Sequence, residues 1–314
     1  MPGAMGVPCT TRAARCDRPT SAAGEYRVEP LSLVKLTALM ERTTGRPDVK
    51  IGVIDGPVLT DHPDLAREHV HAIPGTNGAC RRNDSAACLH GTFVTGILAA
   101  KRDSPAPAIC PDCTLLIRPI FAEALSRGDA VLNATAHELA DAMLECILAG
   151  VRVINLSLAI AERSAEGDRK LAQALDQAVR RGVIVVAAAG NEGTLGSSVV
   201  TRHPWVIPVV ACDARGRPLD NSNLGRSIGR LGLIAPGDGI TSLGPDGRPL
   251  TLGGTSVAVP FVTGAIGLLL SALPGATAAD VRLAVTQAST VRRSSVVPPL
   301  LDASAAYDLL SMRM

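Results

Sequence analysis

VRVINLSLAIAERSAEGDRKLAQALDQAVRRGVIVVAAA, residues 151–189, is the stretch on which the fold turns. It opens on an apolar run, Val151 to Leu156, and closes on a second, Val183 to Ala189. From about Ser164 to Arg181, Leu171, Leu175 and Ala178 recur on one helical face, and Gly182 stops the helix. A strand, a helix and a second strand form the unit from which parallel sheets are built, and strands that read as unbroken apolar runs are covered on both faces.

The same alternation continues outward in both directions. Upstream, Asn133 can cap a helix running through Leu139, Met143 and Ile147 to Gly150. Further back, Val49 to Ile54 reads as a strand that delivers Asp55 at its carboxyl end. Glu29-Pro30 opens a helix with Leu31, Val34, Leu39 and Met40 on its buried side and Gly45 just past its end. Downstream, Thr277 and Asp280 begin a helix through Leu283, and a short helix from Ala303 to Leu310 closes the chain. The fold class is α/β, a mainly parallel sheet between two helical layers. Functional groups are expected at the carboxyl ends of the strands, where Asp55 and Asn191 stand. Residues 1–27, rich in Pro, Gly, Ala, Arg and Thr without an apolar period, read as a mobile tail, and 28–314 as one domain.

Composition narrows the partners. With 31 basic against 29 acidic residues the formal charge is +2, so neither nucleic acid nor an anionic membrane surface is the expected partner. Aromatics are 2% of a chain that is 46% hydrophobic, so the core is built from Ala, Val, Leu and Ile. Residues 249–279 carry no charge and exceed the roughly 20 residues of a membrane span. Pro260 and several glycines favour a buried central helix instead. The amino terminus lacks the unbroken apolar segment of a secretory signal, so a cytoplasmic location is expected, with secretion second. Eight cysteines in such a chain read mostly as reduced thiols. The pairs Cys80 with Cys88 and Cys110 with Cys113 lie in loops and can each close a local disulfide; a zinc site has the wrong spacing. A monomer is expected.

Three short motifs carry chemistry: Val-Ile-Asp55-Gly at 53–56, His90-Gly-Thr-Phe-Val at 90–94 and Gly-Gly-Thr-Ser256-Val-Ala-Val-Pro at 253–260. They supply an acid, an imidazole and a hydroxyl, the set that hydrolysis of a peptide bond at neutral pH requires. Singly, each has an ordinary explanation: a capping Asp, a His at a helix start, a Ser at an N-cap. Together with Ala-Ala-Gly190-Asn191-Glu-Gly between the second and third, the ordered set is specific. His62, His69, His71, His137 and His203 match no motif and read as surface or structural histidines.

With these motifs, and with Ile-Asn155-Leu-Ser157-Leu and Ile-Ala-Pro236-Gly237 in order between them, the chain resembles the subtilisin-type serine proteases (peptidase S8) over roughly residues 48–290. The resemblance implies a three-layer subtilisin-like fold and a serine endopeptidase acting on a peptide or protein substrate. It implies Ser256 as nucleophile, His90 as general base and acid, Asp55 as its orienting carboxylate and Asn191 as an oxyanion donor. Ser157, Leu158 and Ala159, with Ala188, Ala189 and Gly190, resemble the rails that wall the first specificity pocket. The Asn-rich, Gly-rich calcium loop of many relatives is not matched at 101–110, so no metal and no cofactor is expected.

Departures are equally visible. A hydroxyl residue commonly follows the family's aspartate, whereas Gly56 does here; Phe93 replaces a second histidine, and Val257 replaces the methionine after the serine. Asp-Gly-Pro-Val with the Cys110 to Phe121 segment is similar to the subtilisin-like proteases that process ribosomally made precursor peptides of the cyanobactin type. Only 34 residues lie between Asp55 and His90, little room for the insertion of macrocyclising members, so hydrolysis is expected. Fewer than fifty residues precede the first strand, which is short for a prosegment plus signal. Two rivals stand beside the peptidase. One is a weak or inactive subtilisin-like peptide-binding module, disfavoured by the four intact residues; the other is an α/β-hydrolase esterase, disfavoured by the order Asp, His, Ser.

Overall fold

The apolar runs pair edge to edge. A computed structural model describes residues 29–123, 133–162, 164–288 and 296–314; the expected tail at 1–27, with Cys9 and Cys16, lies outside them. In chain order the first half holds α1 (Pro30–Leu33), α2 (Leu36–Arg42), β1 (Lys50–Asp55), β2 (Val70–Ala72), α3 (Ala86–Ala99), β3 (Thr114–Pro119), β4 (Asn133–Thr135), α4 (Ala136–Leu148), β5 (Val153–Leu156) and β6 (Ala159–Glu162). The second half holds α5 (Ala165–Arg181), β7 (Ile184–Ala188), α6 (Val199–Arg202), β8 (Val206–Cys212), α7 (Arg226–Leu231), β9 (Leu233–Pro236), β10 (Ile240–Leu243), β11 (Pro249–Leu252), α8 (Thr255–Ala272), α9 (Ala278–Gln287) and α10 (Ala303–Ser311).

Seven strands form one sheet in the order β2-β3-β1-β5-β7-β8-β9, every pair parallel. The chain winds from β1 toward β2 and β3, then returns past β1 to build the other half. That reversal makes a crevice at the carboxyl end of β1, where open α/β sheets bind ligands. Side chains alternate between the faces as the period of two requires. Ile51 and Val53 of β1, and Ile184 and Val186 of β7, join one core cluster with α3 and α8. Ile54, Ile154, Val185 and Ala187 join the other, with α4 and α5. The uncharged run becomes α8, long and apolar enough to cross a membrane by composition, yet 89% buried against the sheet. It is the core helix of the larger cluster.

Local chemistry explains where the elements differ from expectation. The helix expected from Pro30 through Met40 is two pieces, because Lys35 adopts a left-handed φ of 54° between them, and α2 ends at Arg42 with Thr43 as its C-cap, two residues before Gly45. Asn133 does not cap α4: it lies in β4, and Thr135 is the N-cap, in a capping box with Glu138. The helix of the opening stretch is as read, with Ser164 accepting from the Gly167 N–H and Gly182 at φ 63° closing it.

Candidate active site

Asp55 is the last residue of β1, and His90 stands in the second turn of α3. What brings them together is backbone contact without side chains. A Cβ on Gly56 would overlap the Ala87 carbonyl oxygen, and one on Gly91 would lie 2.5 Å from the carbonyl oxygens of both Gly56 and Pro57. The glycine beside each candidate is therefore what lets the strand end abut the helix. In particular, Gly56 stands where the hydroxyl residue common in the family would not fit this approach. Ser85 caps α3 by accepting from the Cys88 N–H at 3.1 Å.

The geometry is a relay. His90 Nδ1 lies 2.6 Å from Asp55 Oδ1, and His90 Nε2 lies 3.1 Å from Ser256 Oγ. Asp55 is fully buried and its Oδ1 also accepts the Gly56 N–H at 2.6 Å, whereas Oδ2 is buried without a partner among the described residues. Burial disfavours a charged imidazole at His90, but the Asp55 charge and hydrogen bond outweigh it, and the pKa rises above the usual 6.5.

Ser256 is the second residue of α8, where the first-turn N–H groups have no partner in the helix. Gly254 precedes it at φ 124°, a conformation that favours glycine, and donates its N–H to the Gly237 carbonyl at 2.8 Å. Thr255, which the motif reading passed over, positions Asn191. Its N–H and hydroxyl both donate to Asn191 Oδ1, at 2.8 and 3.0 Å. With Oδ1 so engaged, the Asn191 Nδ2 donors are left for the cleft. The remaining departures, Phe93 and Val257, are core residues, 0% and 1% exposed.

Three of the four candidates share one cleft with part of the specificity rails, and Asp55 lies buried behind His90. A cavity of about 240 Å³ is lined by His90, Asn191 and Ser256 together with Ser157, Leu158, Ala188 and Gly190. Ser157 is held by buried Asn155, whose Nδ2 donates to its Oγ at 2.8 Å while Oδ1 accepts from Thr263 of α8 at 2.8 Å. Ala159 opens β6 one residue beyond Leu158. Ala189 joins Leu158, Ala188 and Gly190 in the wall of a second cavity of about 490 Å³. Gly190, at φ 106°, leaves room for Asn223 and Glu192, which a Cβ there would strike.

Cysteine chemistry reaches the same helix. Cys80 and Cys88 are bonded, tying the preceding loop to the first turn of α3, so Cys88 lies on a helix rather than in a loop. Cys110 and Cys113 do not close: both are free and buried, as are Cys146 and Cys212. Among the described residues, the one grouping of metal-ligand atoms is Cys80, Cys88 and Glu123, and its two sulfurs bond to each other. His62 is buried and accepts the Asp64 N–H at Nδ1, a structural setting away from the cleft.

The subtilase family model, peptidase S8, matches residues 46–303. The chain belongs to the subtilase family. Subtilisin amylosacchariticus of Bacillus subtilis subsp. amylosacchariticus is 30% identical to this subtilase over 256 residues, 80% of the chain; the match spans 63% of that relative's length. Among solved structures, the prenylagaramide maturation protease PagA superposes with TM-score 0.77 at 30% identity, covering 88% of this subtilase and 98% of PagA. A serine-to-alanine mutant of the protease domain of PatA gives TM-score 0.75 at 30% identity, covering 86% of this subtilase and 98% of that domain. The three-layer subtilisin-like architecture expected from the motifs is therefore that of its relatives.

Proposed function

We propose that this subtilase is a serine endopeptidase that hydrolyses a ribosomally made precursor peptide. The observation that carries the reading is the unbroken line of contacts from Asp55 through His90 to Ser256, at 2.6 and 3.1 Å. Neutral His90 accepts the Ser256 proton at Nε2 as Oγ attacks the scissile carbonyl carbon. Asp55 Oδ1 accepts a hydrogen bond from the Nδ1–H, holds that tautomer and stabilises the imidazolium without taking the proton. The carbonyl oxygen, now negative, is met by Asn191 Nδ2 and by the Ser256 N–H at the positive end of α8. His90 then returns the proton to the leaving amine, and water repeats the sequence on the acyl-enzyme. The precursor substrate is supported by the likeness to PagA, a maturation protease by name.

A fluorophosphonate probe tests the chemistry. Folded wild type is expected to label at Ser256, located by peptide mass spectrometry, and Ser256→Ala to stay unlabelled. A folded wild type that does not label would instead make the chain a peptide-binding module on a peptidase fold.

A further inference from the structure

The larger cavity, about 490 Å³, shares Leu158, Ala188 and Gly190 with the cleft that holds His90 and Ser256. On the peptidase reading, that shared wall puts this space within reach of the side chain of the residue whose carbonyl Ser256 attacks. The volume falls in the range of about 300–1,000 Å³ usual for pockets that enclose a ligand group. Its walls are mixed: Leu156, Leu158 and Val200 are apolar, Thr194, Ser198 and Asn223 are polar, and two carboxylates reach it, Asp168 from the first turn of α5 and Glu192 from the loop after β7. Among the described residues no lysine, arginine or histidine lines the cavity.

The two acids differ in their state. Glu192 is held: its Oε2 accepts from Asn223 Nδ2, and its own N–H donates to Asn223 Oδ1 at 3.1 Å. Asp168 is half-buried and its carboxylate has no hydrogen bond or ion pair among the described residues. A neutral apolar side chain entering here would strip water from Asp168 and return nothing, whereas a cation would pair with it. Lysine and arginine also lay an aliphatic stem along apolar walls while carrying charge at the tip.

We propose that Asp168, supported by Glu192, makes this subtilase selective for arginine or lysine at the residue whose carbonyl Ser256 attacks. The proposal rests on the peptidase reading above and names its substrate class: a peptide cut on the carboxyl side of a basic residue.

The test is digestion of a random peptide library, with cleavage sites read by mass spectrometry and kcat/KM ratios measured on matched peptides. Wild type is expected to favour arginine or lysine over methionine or glutamine by about 10- to 100-fold, the scale of a desolvated charge pair. Asp168→Asn, of the same shape, is expected to cut that ratio about tenfold, and Glu192→Gln by less. Asp168→Lys should turn the preference toward acidic residues. A wild-type preference for leucine or phenylalanine, or a basic preference untouched by Asp168→Asn, overturns the proposal. If no peptide is cut, the peptidase reading fails on its own, and benzamidine binding to the folded Ser256→Ala protein still reads the pocket. Binding that Asp168→Asn abolishes supports the subsite, and no binding refutes it.

Discussion

His90 faces a carboxylate on one side and a hydroxyl on the other, and both contacts bear on when it can act. As the base of the proposed mechanism it works only when neutral, so kcat/KM should rise with pH through a pKa that Asp55 holds above 6.5. Asp55→Asn removes the charge that raises it and leaves the burial that lowers it. The acid limb of the pH profile should then move to lower pH while kcat falls about 10⁴-fold. The stability sign is fixed by the same shift: a raised folded pKa contributes stability that is full below 6.5 and lost as pH rises through the folded value. Urea melts of wild type against Asp55→Asn at acid and alkaline pH read that difference; an acid limb in the same place for both proteins would show that Asp55 does not act on His90. For Asn191→Ala, kcat should drop about 10²–10³, the loss seen for such a donor in a subtilisin, with KM little changed. Asp55, His90, Ser256 and Asn191 were legible because each sits in a motif a few residues long. Thr255 and Asp168 were not: what they do depends on an approach from a distant part of the chain, Thr255 onto Asn191 and Asp168 onto the cavity behind Leu158.

Elements meet here through glycine. β1 and α3 touch at Gly56 and Gly91, and this contact sets the spacing that the Asp55 and His90 side chains inherit. Gly91→Ala places a methyl group 2.5 Å from two carbonyl oxygens, an overpacking that neither backbone can relieve without moving α3. The expected cost is about 1–3 kcal/mol of stability. Because the relief must come from separating strand and helix, labelling of Ser256 should slow by more than the unfolded fraction explains. Normal labelling in a destabilised but folded Gly91→Ala protein would show that the contact serves stability alone. The alternation of strand and helix was readable because apolar runs and amphipathic periods are local. Element ends were less so. Thr135 displaced Asn133 as the α4 cap because Thr135 stands three residues before Glu138 and closes the capping box, while Asn133 is drawn into pairing with β6. Lys35 broke the first helix with a left-handed turn that its residue type gives no sign of.

On the scale of the whole molecule, cysteine placement among the described residues separates one covalent tie from a set of shielded thiols. Counting cysteines could propose Cys80 with Cys88 and Cys110 with Cys113 on equal terms, since sequence spacing does not reveal which sulfurs the fold turns toward each other. The fold distinguishes them: the first pair bridges a loop to the first turn of α3, while Cys110 and Cys113 lie in the core beneath α8. Burial pushes Cys146 and Cys212 up to about 12, so neither supplies thiolate near neutral pH. Bonds such as Cys80–Cys88 persist in oxidising compartments and are rare in a reducing cytosol, so the bond bears directly on the expected cytoplasmic location. Closing a separation of eight residues contributes about 2–3 kcal/mol by restricting the unfolded chain. Iodoacetamide treatment of the native protein should therefore leave Cys110, Cys113, Cys146 and Cys212 unmodified. In denaturant those four should label at once and Cys80 and Cys88 only after reduction. Reduction of the folded protein should lower its melting temperature and slow labelling of Ser256 together, since Cys88 sits two residues before His90 on the same helix. A lowered melting temperature with an unchanged labelling rate would confine the bond to stability, and free Cys80 and Cys88 in protein taken from its own cells would make the reduced form the working state.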